Sequence, residues 1–237
     1  MSYLFCSDAP PGESLLQVRP ETWQEAIALS LNFWCVLPAL LPGVAPVLNP
    51  AFEGLFNLTV TWGLLFWGFA VDGRDQRFPL LPFLLGTAFL TNVFYLPWLA
   101  LRQSDSISPL QPPLSPLERF TESRFFPILL TVVGLVACLW AAVARPEFGA
   151  WGDRWQALMA LVGSDRLAFS FVVDLGVFWI FQAWLVPDDM QRRNWRSSVA
   201  LWVARLVPFL GLVFYFLRRP QIAYHADGQA AQVSKTA

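Results

Sequence analysis

The sequence predicts an all-α fold, a polytopic transmembrane bundle of about six helices, on three observations. Charged residues make up only 14% of the 237 positions while 56% are hydrophobic, whereas a soluble domain carries about 25% charged residues to face water. So few charges cannot cover a water-exposed surface of this size, and the natural solvent for the surplus apolar surface is lipid. Six apolar runs follow one another, each near the ~20 residues that a helix rising 1.5 Å per residue needs to cross about 30 Å of hydrocarbon. Fifteen arginines and the single Lys235 fall mostly between these runs, as membrane topology requires. Helix is preferred to barrel strand because no alternating pattern is present, and an unpaired backbone group in lipid costs several kcal/mol.

Residues 1–22 read as a polar N-terminal arm, with Asp8, Glu13, Arg19 and Glu21 around a Pro-Pro pair. Residues 23–101 form a first three-helix half with spans at 23–41, 52–71 and 80–101. In PALLPGVAPVLNP, Pro38, Pro42, Pro46 and Pro50 recur every fourth residue. Each removes a backbone donor, so the first span is expected to end or kink near Leu37. DGRDQR at 72–77 reads as a tight polar turn, and 102–124 as a Pro/Ser-rich connecting loop. Residues 125–219 form a second three-helix half with spans at 125–144, 167–186 and 199–217. Between its first two spans, Trp151 and Trp155 stand beside a short apolar patch that suits a helix lying in the headgroup layer. Residues 220–237 read as a flexible polar tail. EGLFNLTVTWGLLFWGF can be laid beside DRLAFSFVVDLGVFWIF, an echo that suggests two related halves.

Six spans place both termini on one side. That side would carry nine basic residues, Arg19, Arg74, Arg77, Arg145, Arg154, Arg166, Arg218, Arg219 and Lys235. The other would carry six, Arg102, Arg119, Arg124, Arg192, Arg193 and Arg196. The slim margin favours cytoplasmic termini. No cleavable signal peptide is apparent, since the first apolar run follows an acidic rather than a basic segment.

Composition narrows the chemistry. Cys6, Cys35 and Cys138 show no CxxC spacing, and the lone His225 sits in the tail, so no disulfide framework, metal or histidine-bound haem is expected. Glycine-rich phosphate loop, nucleophile elbow and HExxH motif are missing, so no cofactor is assigned. A net charge of −1 gives no reason to expect nucleic acid as a partner.

The candidate site residues are the polar ones inside apolar runs. Asp174 lies in the middle of FSFVVDLGVFWIFQAW, where a charge costs roughly 2.5 to 3.5 kcal/mol on insertion scales. Antiparallel pairing of the last two spans would set it about five residues from Arg205, within reach of an ion pair that registers the helices. Alternatively Asp174, with Ser170 and Gln182 on the same face, lines a cavity or proton path. A second stripe comprises Asn57, Thr61, Thr87, Thr91, Asn92 and Tyr95, residues that hydrogen-bond between helices for about 0.6 kcal/mol each. Glu53, one turn before Asn57, is the second candidate acid; its structural role would be a favourable charge at a helix start. Of twelve tryptophans, Trp62, Trp67, Trp140 and Trp179 lie deep in their spans, whereas Trp23, Trp98, Trp184, Trp195 and Trp202 lie near span ends, as interfacial belts do.

SFVVDLGVFWIFQAW, the turn RRNWR and the helix end FYFLRRP resemble a family of small multispan membrane proteins of cyanobacteria, other bacteria and plastids, grouped as a domain of unknown function. The resemblance covers mainly 167–220 and turns on Asp174, Phe178, Trp179, Arg218 and Arg219. It implies a bacterial inner or thylakoid membrane location and supplies no reaction. The leading functional expectation is a non-enzymatic auxiliary or assembly factor that contacts other membrane proteins or pigments. The alternative is an isoprenoid enzyme resembling terpene cyclases, with Asp174 or Glu53 as acid and Trp67 and Trp179 as cation-stabilising walls. In that class Asn57, Gln182 and Arg205 would join Trp67 and Trp179 in binding the ligand. A third expectation is a small carrier whose halves rock about the Asp174 stripe.

Overall fold

A computed structural model of the chain describes residues 7, 9–13, 20–74, 76–90, 92–103 and 113–221. Among these residues the chain forms eleven α-helices and no strand. In order they are α1 (Pro20–Leu31), α2 (Val36–Leu40), α3 (Pro50–Leu65), α4 (Leu81–Leu90), α5 (Asn92–Leu101), α6 (Pro116–Glu122), α7 (Phe125–Val143), α8 (Trp151–Ser164), α9 (Arg166–Arg192), α10 (Ser198–Leu206) and α11 (Leu210–Arg218). Three are long and apolar enough to cross a membrane: α3 with its 3-10 continuation to Gly73, α7 and α9.

These three make the frame. Asn49 caps α3, its side chain accepting from Ala51 N at 2.8 Å with Pro50 in the first helical turn, an arrangement that satisfies a free donor and presets the backbone. α3 and α7 run antiparallel at close range. A Cβ on Gly54 would fall 2.6 Å from Ala141 Cβ and 2.7 Å from Ala137 O, so glycine opposite alanines is what lets these backbones touch. α9 runs alongside in the direction of α3. Trp62, Phe66, Phe178, Phe209 and Tyr215 fill one core that joins both halves of the sequence. The frame thus has a Glu53 end, where α3 and α9 begin, and an Asp72 end, where they finish.

The other three apolar runs do not continue as single helices; each turns back. In run 80–101, α4 and α5 are the legs of a hairpin. Gln76 Nε2 donates to Gln103 O at 3.1 Å, and Gln103 N donates back to Gln76 Oε1 at 2.7 Å. Trp98 Nε1 reaches Phe78 O at 3.3 Å, and Arg102 pairs with Asp72. Both ends of the run therefore lie at the Asp72 end. Each leg has ten residues, about 15 Å of rise and half the thickness of a hydrocarbon layer.

Run 199–217 repeats the device. α10 stops at Leu206, ahead of Pro208, and Phe209 takes a left-handed φ of 52°, a conformation unusual for a bulky residue. α11 then returns to the Asp72 end, where Arg219 meets Asp189. Gly211 lies directly against the Val203 carbonyl, leaving no room for a side chain where the legs cross.

Run 23–41 is broken where proline spacing predicted, a few residues early. α1 ends at Leu31, and Trp34 and Cys35 adopt φ of 54° and 59°. α2 is five residues long, and by Pro46 the chain is back at the Glu53 end, its carbonyl accepting from Asn32 Nδ2 at 2.9 Å and Arg145 Nη2 at 2.7 Å. The odd number of full-length helices places the described ends of the chain apart. Arg166, at the Glu53 end, donates to the carbonyls of Ser7, Pro10, Pro11 and Gly12 at 2.6 to 3.1 Å, whereas Pro220 follows Arg219 at the Asp72 end. Six full-length spans would instead bring the described ends together.

The connections hold structure of their own. The predicted loop 102–124 contains α6, started by a capping box in which Ser115 and Glu118 satisfy each other's backbone donors; residues 104–112 lie outside the described set. α8 is too short to cross, and its Trp151 and Trp155 stack at 6.1 Å and are exposed. Its buried Arg154 reaches under α7, donating to Ala141 O at 3.4 Å and Arg145 O at 3.1 Å.

The hairpin geometry predicts that Gln76→Cys and Gln103→Cys, introduced together with the native cysteines replaced by serine, are joined by a short bifunctional maleimide. A straight span would hold the two sites about 30 Å apart and give no cross-link on gels after cleavage between α4 and α5.

Candidate functional site

The charges inside the bundle gather into two clusters, one at each end of the frame. At the Asp72 end the organiser is PDDMQRR, the last turns of α9, whose acids and arginines sit four residues apart on one face. Asp72 accepts from Arg102 Nε at 2.6 Å and Nη2 at 3.1 Å, and is also paired with Arg192. Arg102 Nη2 donates to Asp188 at 2.6 Å. Asp189 accepts from Arg193 at 2.9 Å, Arg219 at 3.1 Å and the Tyr215 hydroxyl at 2.7 Å. Glu122 accepts from Arg193 at 2.6 and 2.8 Å and from Arg219 at 2.8 Å. Four arginines thus meet four carboxylates, and the network ties together the ends of α3, α5, α6, α9 and α11. Sequence reasoning missed it because each member lies in a polar turn. The available signal was the near-equal number of acids and arginines at the ends of several apolar runs.

Glu118 sits beside this network. Burial raises its proton affinity, but Arg74, at 2.6 and 2.9 Å, and the bonds to Ser115 outweigh that and hold its carboxyl below the ordinary value.

At the Glu53 end one carboxylate does most of the joining. Glu53 is fully buried. It accepts from Arg145 Nη2 and Nε, both at 3.0 Å, from Trp140 Nε1 at 2.7 Å and from Asn32 Nδ2. Asn57, one turn on, donates to Glu53 O at 2.9 Å and Asn32 O at 3.4 Å, and its Oδ1 accepts from Trp34 N. These two asparagines hold the left-handed kink at Trp34 and Cys35. A carboxylate clasped by a two-pronged guanidinium and two further donors is an anchor.

The structure parts Asp174 from Arg205. Asp174 Oδ1 accepts from Asn92 Nδ2 at 2.6 Å, at the tip of the α4–α5 hairpin. Arg205 Nε donates to Ala183 O at 3.3 Å and its guanidinium lies 5.6 Å from the Trp202 ring centroid. The expected pair fails on register: Arg205 lies beside Ala183, nine residues beyond Asp174 and about 13.5 Å away along the helix. The other polar candidates also serve the tips. Trp179 Nε1 donates to Arg205 O at 2.9 Å, and Gln182, fully buried, donates to Ala204 O and, at 2.8 Å, to Val207 O. The Arg205 and Ala204 carbonyls are left open by the α10 break, and such groups need partners where backbone is interrupted at membrane depth; Val207 O also accepts from Gly211 N at 3.2 Å. Ser170 and Thr87 bond within their own helices, to Leu167 O and Phe83 O. Trp67 packs against the core; Thr91 lies outside the described residues.

A cavity of about 430 Å³ opens between α3, α7 and α9, with Trp62, Gly134, Leu135, Gly176, Trp179 and Phe209 in its wall. It exists because the α10–α11 hairpin stops at mid-depth and leaves the rest of the groove between α7 and α9 unfilled. Its wall is apolar and aromatic. Of the deep tryptophans singled out in the sequence Trp62 and Trp179 reach it; Asp174, Glu53, Asn57, Trp67, Gln182 and Arg205 stand elsewhere. Among the described residues no three His, Cys, Asp or Glu side chains gather as metal ligands would.

Two measurements follow from these contacts. Glu53→Gln leaves Arg145 without its counter-charge and should cost about 3–5 kcal/mol, read as a fall in the thermal midpoint in detergent, with partial recovery in the Glu53→Gln/Arg145→Met double variant. The folded state holds Glu118 below its unfolded value, so its stabilising contribution is full above that value and is lost as pH falls through the folded one. Glu118→Gln should remove that part of the acid-side slope and leave the neutral plateau flat.

No protein-family model matches this chain, and neither the curated proteins nor the solved structures contain a match.

Proposed function

We propose that the protein is an integral-membrane protein with a non-catalytic role, an auxiliary or assembly factor that contacts other membrane components. The observation that carries this reading is the employment of its internal carboxylates. Glu53, Asp72, Asp188, Asp189 and Glu122 each lie in an ion pair, and Asp174 is hydrogen-bonded by Asn92. None of them lines the aromatic cavity. An isoprenoid cyclase needs an acid facing its cation-stabilising walls, and here acids and walls are apart. Kinship with the small multispan family rests on the resemblance over 167–220.

The membrane arrangement that accompanies this reading has three crossings, α3, α7 and α9, and three segments that enter and leave on one side, rather than six crossings. The Asp72 end faces the cytoplasm in a bacterial inner or thylakoid membrane. Ten described arginines lie at that end, Arg74, Arg77, Arg102, Arg119, Arg124, Arg192, Arg193, Arg196, Arg218 and Arg219. Three lie at the other, Arg145, Arg154 and Arg166. Ten against three is a far larger bias than nine against six, and positive loops stay inside.

Purification in mild detergent tests the role: recovery with a second membrane protein or a pigment is expected, and a lone monomer with neither overturns it. Labelling tests the arrangement. In a cysteine-free background, Glu21→Cys should react with an impermeant maleimide in intact cells or spheroplasts, and Gln221→Cys only after lysis. Equal labelling of both from one side would restore the six-span arrangement.

A further inference from the structure

Exposed charge is segregated along the bundle. At the Asp72 end five exposed arginines, Arg77, Arg119, Arg124, Arg196 and Arg218, have no carboxylate partner among the described residues. At the Glu53 end the described arginines are occupied: Arg154 and Arg166 are buried and Arg145 holds Glu53. The exposed charges there are acidic, Glu21, Glu147 and Asp153.

Each of the five arginines is next to an aromatic ring. Arg77 lies 5.6 Å from the Phe78 ring centroid and Arg218 lies 5.9 Å from that of Phe214. Arg119 and Arg124 are followed by Phe120 and Phe125, which are 43% and 60% exposed, and Arg196 follows Trp195. An exposed ring beside a long cationic chain suits the boundary of a bilayer: the ring stays with the acyl chains and the guanidinium extends outward to the headgroups. The five belong to separate elements, ahead of α4, within α6, at the start of α7, ahead of α10 and at the end of α11. All five lie at the same end of the frame, on elements that the Asp72 network gathers there.

We infer that these arginines form a collar that binds the phosphate groups of anionic phospholipids in the leaflet at the Asp72 end. The guanidinium fork matches a phosphodiester with two parallel hydrogen bonds. In a zwitterionic lipid the headgroup's own cation competes for that phosphate; phosphatidylglycerol has none. The aromatic ring beside each guanidinium, suited to acyl chains, fits lipid headgroups better than a folded acidic partner. The inference rests on the membrane reading above and adds the lipid class and the leaflet.

The test is native mass spectrometry of the detergent-purified full chain with equimolar phosphatidylglycerol and phosphatidylcholine of identical acyl chains. Preferential retention of phosphatidylglycerol is expected, weakened at about 0.5 M salt. Preference should fall by roughly five-fold per arginine removed in R119Q/R124Q, in R196Q/R218Q and in the five-fold glutamine variant, while E21Q/E147Q leaves it unchanged. The paired variants keep the test readable if the five-fold one does not fold. Equal retention of the two lipids, or a preference that survives all the arginine variants, overturns the collar. Binding of a soluble polyglutamate in place of phosphatidylglycerol overturns it in favour of an acidic protein partner. Failure of the chain to fractionate with membranes would instead sink the membrane reading itself.

Discussion

The pairing of arginine with carboxylate in a region poor in water governs this structure. A lone buried charge is expensive, and removing one member of a buried pair leaves the other uncompensated. The protein answers by matching charges locally: Glu53 with Arg145 at one end, and Asp72, Asp188, Asp189 and Glu122 with Arg102, Arg192, Arg193 and Arg219 at the other. Because the partners come from different helices, satisfying the charges also fixes which helix ends lie together. The bidentate grip of Arg102 on Asp72 is what returns α5 to the level where α3 ends.

The same economy applies to the backbone. Two half-length hairpins and one kinked segment leave peptide groups open at depth, where water is not at hand to complete them. Asn57, Gln182 and Trp179 supply missing partners to the main chain at Trp34 N, Ala204 O and Arg205 O, and Asn92 ties the tip of the other hairpin to Asp174. Asn57 and Asn92, which read in sequence as part of a ligand stripe, are consumed in holding broken helices. The apolar cavity is the complementary outcome, since a hairpin that stops halfway leaves the remaining half of its groove to whatever the surroundings supply.

Turning segments back also reorganises charge. Each re-entrant run returns its flanking arginines to the end they started from, so basic residues that six straight spans would divide between two faces collect on one. The acidic exposed surface at the Glu53 end and the basic one at the Asp72 end are therefore consequences of topology.

Composition by itself determined the solvent and the secondary structure: too few charges to face water, runs of helical length, and a surplus of aromatic residues. It also placed α3 with its continuation and α7 within two residues of their observed bounds and the start of α9 within one, because an uninterrupted apolar helix is a local property; the polar last turns of α9, to Arg192, were left out. The break near Leu37 was legible from proline spacing, while the hairpin tips were not, since a single Pro208 or the pair Thr91–Asn92 leaves the hydropathy of a ~20-residue run almost unchanged. Only the tertiary structure decided that three runs reverse, that Asp174 meets Asn92 and not Arg205, and that DDMQRR is a buried clamp and not a solvated turn. Hydropathy measures how a residue prefers lipid to water; which residue answers a buried charge depends on contacts between segments distant in the chain, and those exist only once it is folded.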